Sequence, residues 1–129
     1  MAIGTGSKKK VKLVNKTYCL VNGALLSVAS STEVTLSGTV TNAKFNVYVI
    51  YATATDTAAA AMGTEAATLG AVAFPTIPAN SAVLGFVIVN PTGTGNFVGG
   101  TTDLDDGTVV PNAVYIDTPS AFNPNMLSL

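Results

Sequence analysis

Between Ala82 and Asn90 the chain reads AVLGFVIVN, eight consecutive apolar or glycine residues with Pro78 before them and Pro91 after. The run is β-branched and bounded by turn residues, which predicts a buried strand. Side chains alternate along an extended backbone, so Val83, Gly85, Val87 and Val89 are expected on one face and Leu84, Phe86 and Ile88 on the other. Neither face tolerates water. A strand with two apolar faces needs cover on both, as in a sandwich interior, a filled barrel or a subunit interface.

The rest of the composition sharpens that demand. Charged residues make up 10% of the 129, against roughly 25% in an ordinary globular chain, and the mean hydropathy is +0.47. No apolar run approaches the ~18 residues that cross a bilayer, and MAIGTGSKKK lacks the apolar centre of a signal peptide. No membrane partner is therefore expected, and the apolar surplus points to contact with other protein subunits. The length suits one domain.

Five of the six lysines, Lys8, Lys9, Lys10, Lys12 and Lys16, precede residue 17. After Lys16, one lysine stands against seven carboxylates, leaving −6. A basic segment on an acidic body suits head-to-tail docking, with a solvated basic tail as the plain alternative. All six basic residues are lysines, and without Arg for phosphate forks or base stacking no nucleic-acid partner is expected.

From Val11 onward short apolar segments recur between turn residues, the spacing of an all-β domain. Val11 to Val14, Thr17 to Val21, Ala24 to Val28, Glu33 to Leu36 and Thr39 to Val40 are expected strands, with Asn22-Gly23 as a hairpin turn. Lys44 to Thr55 supplies the second long strand. Ala58 to Met62 has helix propensity, and Gly63 trims it to a loop with one helical turn. Leu69 to Phe74, Thr108 to Val110 and Ala113 to Ile116 are strand-like, and Phe97 anchors an otherwise Gly- and Thr-rich loop.

These elements predict a single all-β domain over 13–117, a β-sandwich or jelly-roll-like barrel. A basic extended N-terminal arm over 1–12 and a C-terminal tail over 118–129 flank it. A Gly, Ser and Lys-rich arm needs a partner to be ordered. Lys8, Lys9, Lys10 and Lys12 are accordingly expected against an acidic surface of a neighbour. Phe122, Met126 and Leu127 of the tail are expected to dock on a groove in this subunit or the next.

The chain has no histidine, which removes the usual general base, the commonest metal ligand and any Ser-His or Cys-His pair. No catalytic residues and no cofactor are assigned. Cys19, in the apolar run TYCLV, is expected to fill core space. Asp103-Leu104-Asp105-Asp106-Gly107 lacks the spacing of a helical calcium loop, leaving a solvated acidic turn or a cation site. Gly93 to Gly99 is followed by no helix, so it does not form a phosphate cradle.

Val34 to Asp117 resembles a group of small tailed-phage virion proteins. The resembling residues are Phe45 to Tyr51, Met62-Gly63-Thr64-Glu65-Ala66-Ala67, Phe74-Pro75-Thr76-Ile77-Pro78-Ala79, Leu84-Gly85-Phe86-Val87 and Asn96 to Asp105. The resemblance implies a capsid decoration, or cement, protein without enzymatic activity. Such proteins are made in the host cytoplasm and bind the outer face of the major capsid protein shell, commonly as homotrimers. It also allows a fibre, spike or receptor-binding module. The absence of repeats or a heptad stalk favours cement.

Overall fold

The computed structural model describes residues 1–118, and they are all-β. Eleven strands follow in order: β1 Ala2–Ile3, β2 Lys10–Lys12, β3 Thr17–Val21, β4 Ala24–Val28, β5 Glu33–Thr35 and β6 Thr39–Val40. Then come β7 Asn46–Ala52, β8 Ala58–Met62, β9 Ala82–Val89, β10 Phe97–Val98 and β11 Val114–Asp117. The one helical element among the described residues is a 3-10 turn at Leu69–Ala71.

The largest sheet is antiparallel with strand order β11-β9-β7-β8, so the two long strands lie at its centre. Its core face carries Tyr48 and Ile50 of β7 and Val87 and Val89 of β9. These pack on Val11, Val34, Leu36, Val40, Phe97, Leu104 and Val110 from the facing layer. That layer is built from the sheet β1-β2-β5 and the pair β6-β10, with the β3–β4 hairpin beside them. The sheets do not close into a barrel, and the arrangement is sandwich-like. Burying Ile50, Val87, Val89 and Phe97 contributes about 6–12 kcal/mol, an upper estimate because unfolded chains already hide apolar surface.

Strict alternation fails at one point of β9. Ile50 pairs with Gly85 and Tyr51 with Val83, so Leu84 is an extra residue, a bulge in the ladder. Val83 therefore leaves the face of Val87 and Val89 and joins Val49 and Ile77 on the far face of the sheet. Leu84 crosses the other way, packing with Ala82, Cys19, Val21 and Val28 beneath the hairpin. Gly85, next to the bulge, leaves room for β11 and the N-terminus to approach. A Cβ there would collide with the carbonyl oxygen of Ile116 and the side chain of Met1.

Three local expectations are corrected. Ala58 to Met62 forms β8, because pairing all five residues with β7 outweighs the helix propensity of alanine. Leu69 to Phe74 contributes the 3-10 turn and an isolated bridge at Ala73 in place of a strand. Thr108 to Val110 is a turn, in which Val109 and Val110 donate backbone bonds to Asp106.

Residues 1–12 are also not an extended arm. They fold back as β1 and β2, pairing Ile3 with Val11 and Val11 with Val34. Lys10-Val11-Lys12-Leu13 alternates, which turns Val11, 1% exposed, and Leu13, 4% exposed, into the core. Two buried side chains supply the ordering that composition alone did not promise.

If the bulge is what lets β11 lie against β9, Gly85→Val should lower unfolding stability by about 1–3 kcal/mol. Urea unfolding followed by circular dichroism checks this, and unchanged stability would contradict the packing.

Candidate interaction surfaces

The predicted partner-binding lysines do not act as one group. The Lys8 ammonium donates to Asp105 Oδ2 at 2.7 Å, and the Lys8 backbone carbonyl accepts from the Leu104 amide at 2.9 Å. A hydrogen bond and the charge of Asp105 raise the Lys8 pKa. The acidic partner expected on a neighbour is thus in the same chain for Lys8. Lys9 is exposed, while Lys10 and Lys12 lie half-buried on the side of β2 opposite Val11. These three make no ion pair among the described residues. They belong to a folded hairpin, and Glu33 of β5 lies directly across from Lys12 on the same side. Phe122, Met126 and Leu127 lie outside the described residues.

The acidic segment is divided between structural tasks. Asp105 holds Lys8, whereas Asp106 Oδ1 accepts from the Thr108 amide at 2.9 Å and from its hydroxyl at 2.6 Å. Among the described residues no three Asp, Glu, Cys or His side chains gather as a metal site. Gly93 to Asn96 is likewise pinned: Asn42 Nδ2 donates to the carbonyls of Gly93 and Gly95, at 2.7 and 2.9 Å. The Asn42 amide donates to Asn96 Oδ1 at 2.9 Å.

Cys19 is buried on the inner side of the hairpin, and burial, with Asp56 nearby, pushes its thiol pKa up. The reactive thiolate is correspondingly disfavoured. The hydroxyls of Tyr48 and Tyr115 are buried, and desolvation raises both pKa values. A cavity of about 470 Å³ opens between Leu13, Val14, Thr17, Leu84 and Thr118. Its one carboxylate, Asp117, is paired with the amino nitrogen of Met1.

What the surface does present is apolar. The Asn22-Gly23 turn takes positive φ at both residues, 52° and 76°, as a tight antiparallel hairpin requires. Alternation then turns Cys19 and Val21 inward and Tyr18 and Leu20 outward, with Leu25 directly across from Leu20. Tyr18, Leu20 and Leu25 are 61%, 67% and 72% exposed. The Lys16 ammonium lies 5.2 Å from the centre of the Tyr18 ring, and Asp56 Oδ1 accepts from the Ser27 amide at 2.9 Å, so a charge of each sign borders this surface.

A second apolar surface lies on the far face of the four-stranded sheet. The segment from Leu69 to Pro78 covers part of that face: Ile77 is buried on Val49 and Val83, and Phe74 meets Phe86 edge-on at 5.2 Å. Among the described residues that segment does not bury β11. Val114 and Ile116, paired across from Ile88 and Phe86, remain exposed next to Phe74.

Sequence reasoning passed over both surfaces. The signal was present in Thr17 to Val28, which is apolar at both parities while a two-stranded hairpin has only one face to bury. No family model, curated protein or solved structure matches this chain.

Two carboxylates give the fold an acid limit. The amide and hydroxyl of Thr41 hold Glu65 below the usual carboxylate range, and the hydroxyl and amide of Thr108 do the same for Asp106. Because both folded pKa values are depressed, their stabilisation is present above the ordinary carboxylate pKa of about 4 and is lost as pH falls through the lower folded values. Melting temperatures recorded from neutral pH to about pH 3 should fall on the acid side, and Glu65→Gln should flatten that limb. An identical acid limb in the variant would show that Glu65 contributes nothing.

Proposed function

We propose that this chain is a decoration, or cement, subunit of a tailed-phage capsid, bound to the outer face of the major capsid protein shell as a homotrimer. Its role is structural and not enzymatic, and it resides at the virion surface after synthesis in the host cytoplasm. The observation that carries the reading is the exposed apolar strand surface on a chain with so few charges. Such surface is stable in a protein that spends its working life against other subunits. The resemblance of Val34 to Asp117 to phage virion proteins supplies the kind of assembly.

Within this reading Lys9, Lys10 and Lys12 steer the subunit to an acidic region of the shell, and the exposed apolar side chains provide the lasting contact. The hairpin that carries these lysines is part of the domain, so the informative change is to the charges and not a deletion of residues 1–12, which would strip Val11 from the core.

The test is gel densitometry of purified particles against the major shell protein. Hundreds of copies per particle are expected. The triple variant Lys9→Gln, Lys10→Gln, Lys12→Gln should occupy fewer sites, and added salt should reduce occupancy by the wild type. A handful of copies per particle would instead identify a fibre or receptor-binding component. Full occupancy by the triple variant would remove the lysines from the interface.

A further inference from the structure

We propose that Asn22 is a site of spontaneous covalent modification, losing its side-chain amide through a cyclic imide formed with the Gly23 nitrogen, and that its contact with Asn80 restrains the reaction. Such a step needs an asparagine amide, an unhindered backbone nitrogen on the next residue, and water.

One place in the sequence offers all three. Asn22-Gly23 is the single Asn-Gly pair, and both residues are exposed at the tip of the β3–β4 hairpin. Gly23 has no Cβ to screen its nitrogen, a Cβ placed there would meet no atom within 4 Å, and its amide donates to no backbone carbonyl among the described residues. Every other asparagine lacks at least one requirement. Asn46 is buried, and the Val47 amide that follows it is bonded to Asn46 Oδ1 at 2.8 Å. Asn42 gives its side chain to Gly93 and Gly95, and the Ala43 amide donates to the Pro91 carbonyl at 2.7 Å. Asn90 and Asn123 precede prolines, which have no N–H, and Asn96 precedes the fully buried Phe97. Asn15, Asn80, Asn112 and Asn125 precede residues whose Cβ crowds the nitrogen.

No oxidant or reductant is needed. The Gly23 nitrogen, its proton taken by solvent, attacks Asn22 Cγ. An N–C bond forms, the Cγ–Nδ2 bond breaks, and Nδ2 leaves as ammonia with a proton from water. A second water then opens the imide ring at either carbonyl. Breaking the bond between Cγ and the Gly23 nitrogen leaves Asp, whereas breaking the backbone bond leaves isoaspartate, whose main chain runs through Cγ and is one methylene longer. Either product puts a carboxylate into Thr17 to Thr32, a stretch that otherwise holds no charge.

The fold governs both rate and consequence. With φ of 52° and 76°, Asn22 and Gly23 close a two-residue turn, and Asn22 Nδ2 donates to Asn80 Oδ1. Asn80 is itself placed by its own turn, with φ of 63° and the next residue's hydroxyl, that of Ser81, donating to the Pro78 carbonyl. An amide held on Asn80 is not free to swing its carbon onto the Gly23 nitrogen. The hairpin tip opens without disturbing the four-stranded sheet, because β3 and β4 pair only with each other. Asp-Gly suits the same turn. Isoaspartate does not, since the added methylene breaks the pairing of Val21 with Ala24 and then of Leu20 with Leu25, and it loosens the strand that buries Cys19.

The experiment incubates the full chain in mildly alkaline buffer and locates the products by peptide mapping with mass spectrometry. Asn22 should be converted before every other asparagine, and faster as pH rises, because attack requires the Gly23 nitrogen to lose its proton. Asn80→Ala, checked by circular dichroism to be folded, should speed the conversion severalfold. The isoaspartate form, isolated by chromatography, should react at Cys19 with a thiol reagent severalfold faster than wild type. Asn22→Asp, which carries the charge without the extra methylene, should react at the wild-type rate.

An intact Asn22 after another asparagine has been converted overturns the site. An unchanged rate in Asn80→Ala overturns the restraint, and a Cys19 as protected in the isoaspartate form as in wild type overturns the loss of the hairpin.

Discussion

The pairing of β7 with β9 is the contact on which the rest of the domain depends. It joins the two longest strands in register from Asn46 opposite Val89 to Ala52 opposite Ala82, and it produces a sheet centre that is apolar above and below. One face is sealed by the short sheets and the β3–β4 hairpin. The other is sealed over Val49 and Val83 by Ile77, and among the described residues Val114 and Ile116 of β11 are exposed beside it. No residue of either strand is exposed, and among the described residues the exposed apolar side chains of this sheet, Val114 and Ile116, belong to β11 at its edge.

The bulge at Leu84 and Gly85 sets the boundary between these regions. By moving Val83 to the far face and Leu84 to the core face, it lets one strand feed three hydrophobic clusters. It also brings the backbone of β11 close to Gly85, which is how a strand ending in exposed Val114 and Ile116 is held at the sheet edge. Electrostatics then act at the periphery. Asp105 fastens the basic hairpin, Glu65 binds the Thr41 turn and Asp106 closes its own loop.

The all-β class and both central strands were legible because alternation and β-branching are local signals that the buried ladder preserves. The helix-prone Ala58 to Met62 was not, since its strand state is imposed by pairing with β7 and not by its own residues. The face reversal in β9 was hidden because alternation assumes an unbroken register, although a glycine inside an apolar strand is the usual mark of a bulge. Residues 1–12 looked like a free arm from composition, while the alternation of Lys10-Val11-Lys12-Leu13 carried the contrary message. As for the candidate interface, the lysines were visible as charge. The hairpin surface required knowing which side of Thr17 to Val28 the core would take.

The central claim is that the outward face of the β3–β4 hairpin, together with Val114 and Ile116 of β11, forms contact surface that the assembly covers. Hydrogen–deuterium exchange, measured on the protein in dilute solution and again on capsid shells, tests it most directly. The account predicts new protection on the shell across Thr17 to Val28 and Val114 to Asp117, with Val47 to Ile50 equally protected in both states. Protection confined to other segments, or no change at the hairpin and β11, would contradict it.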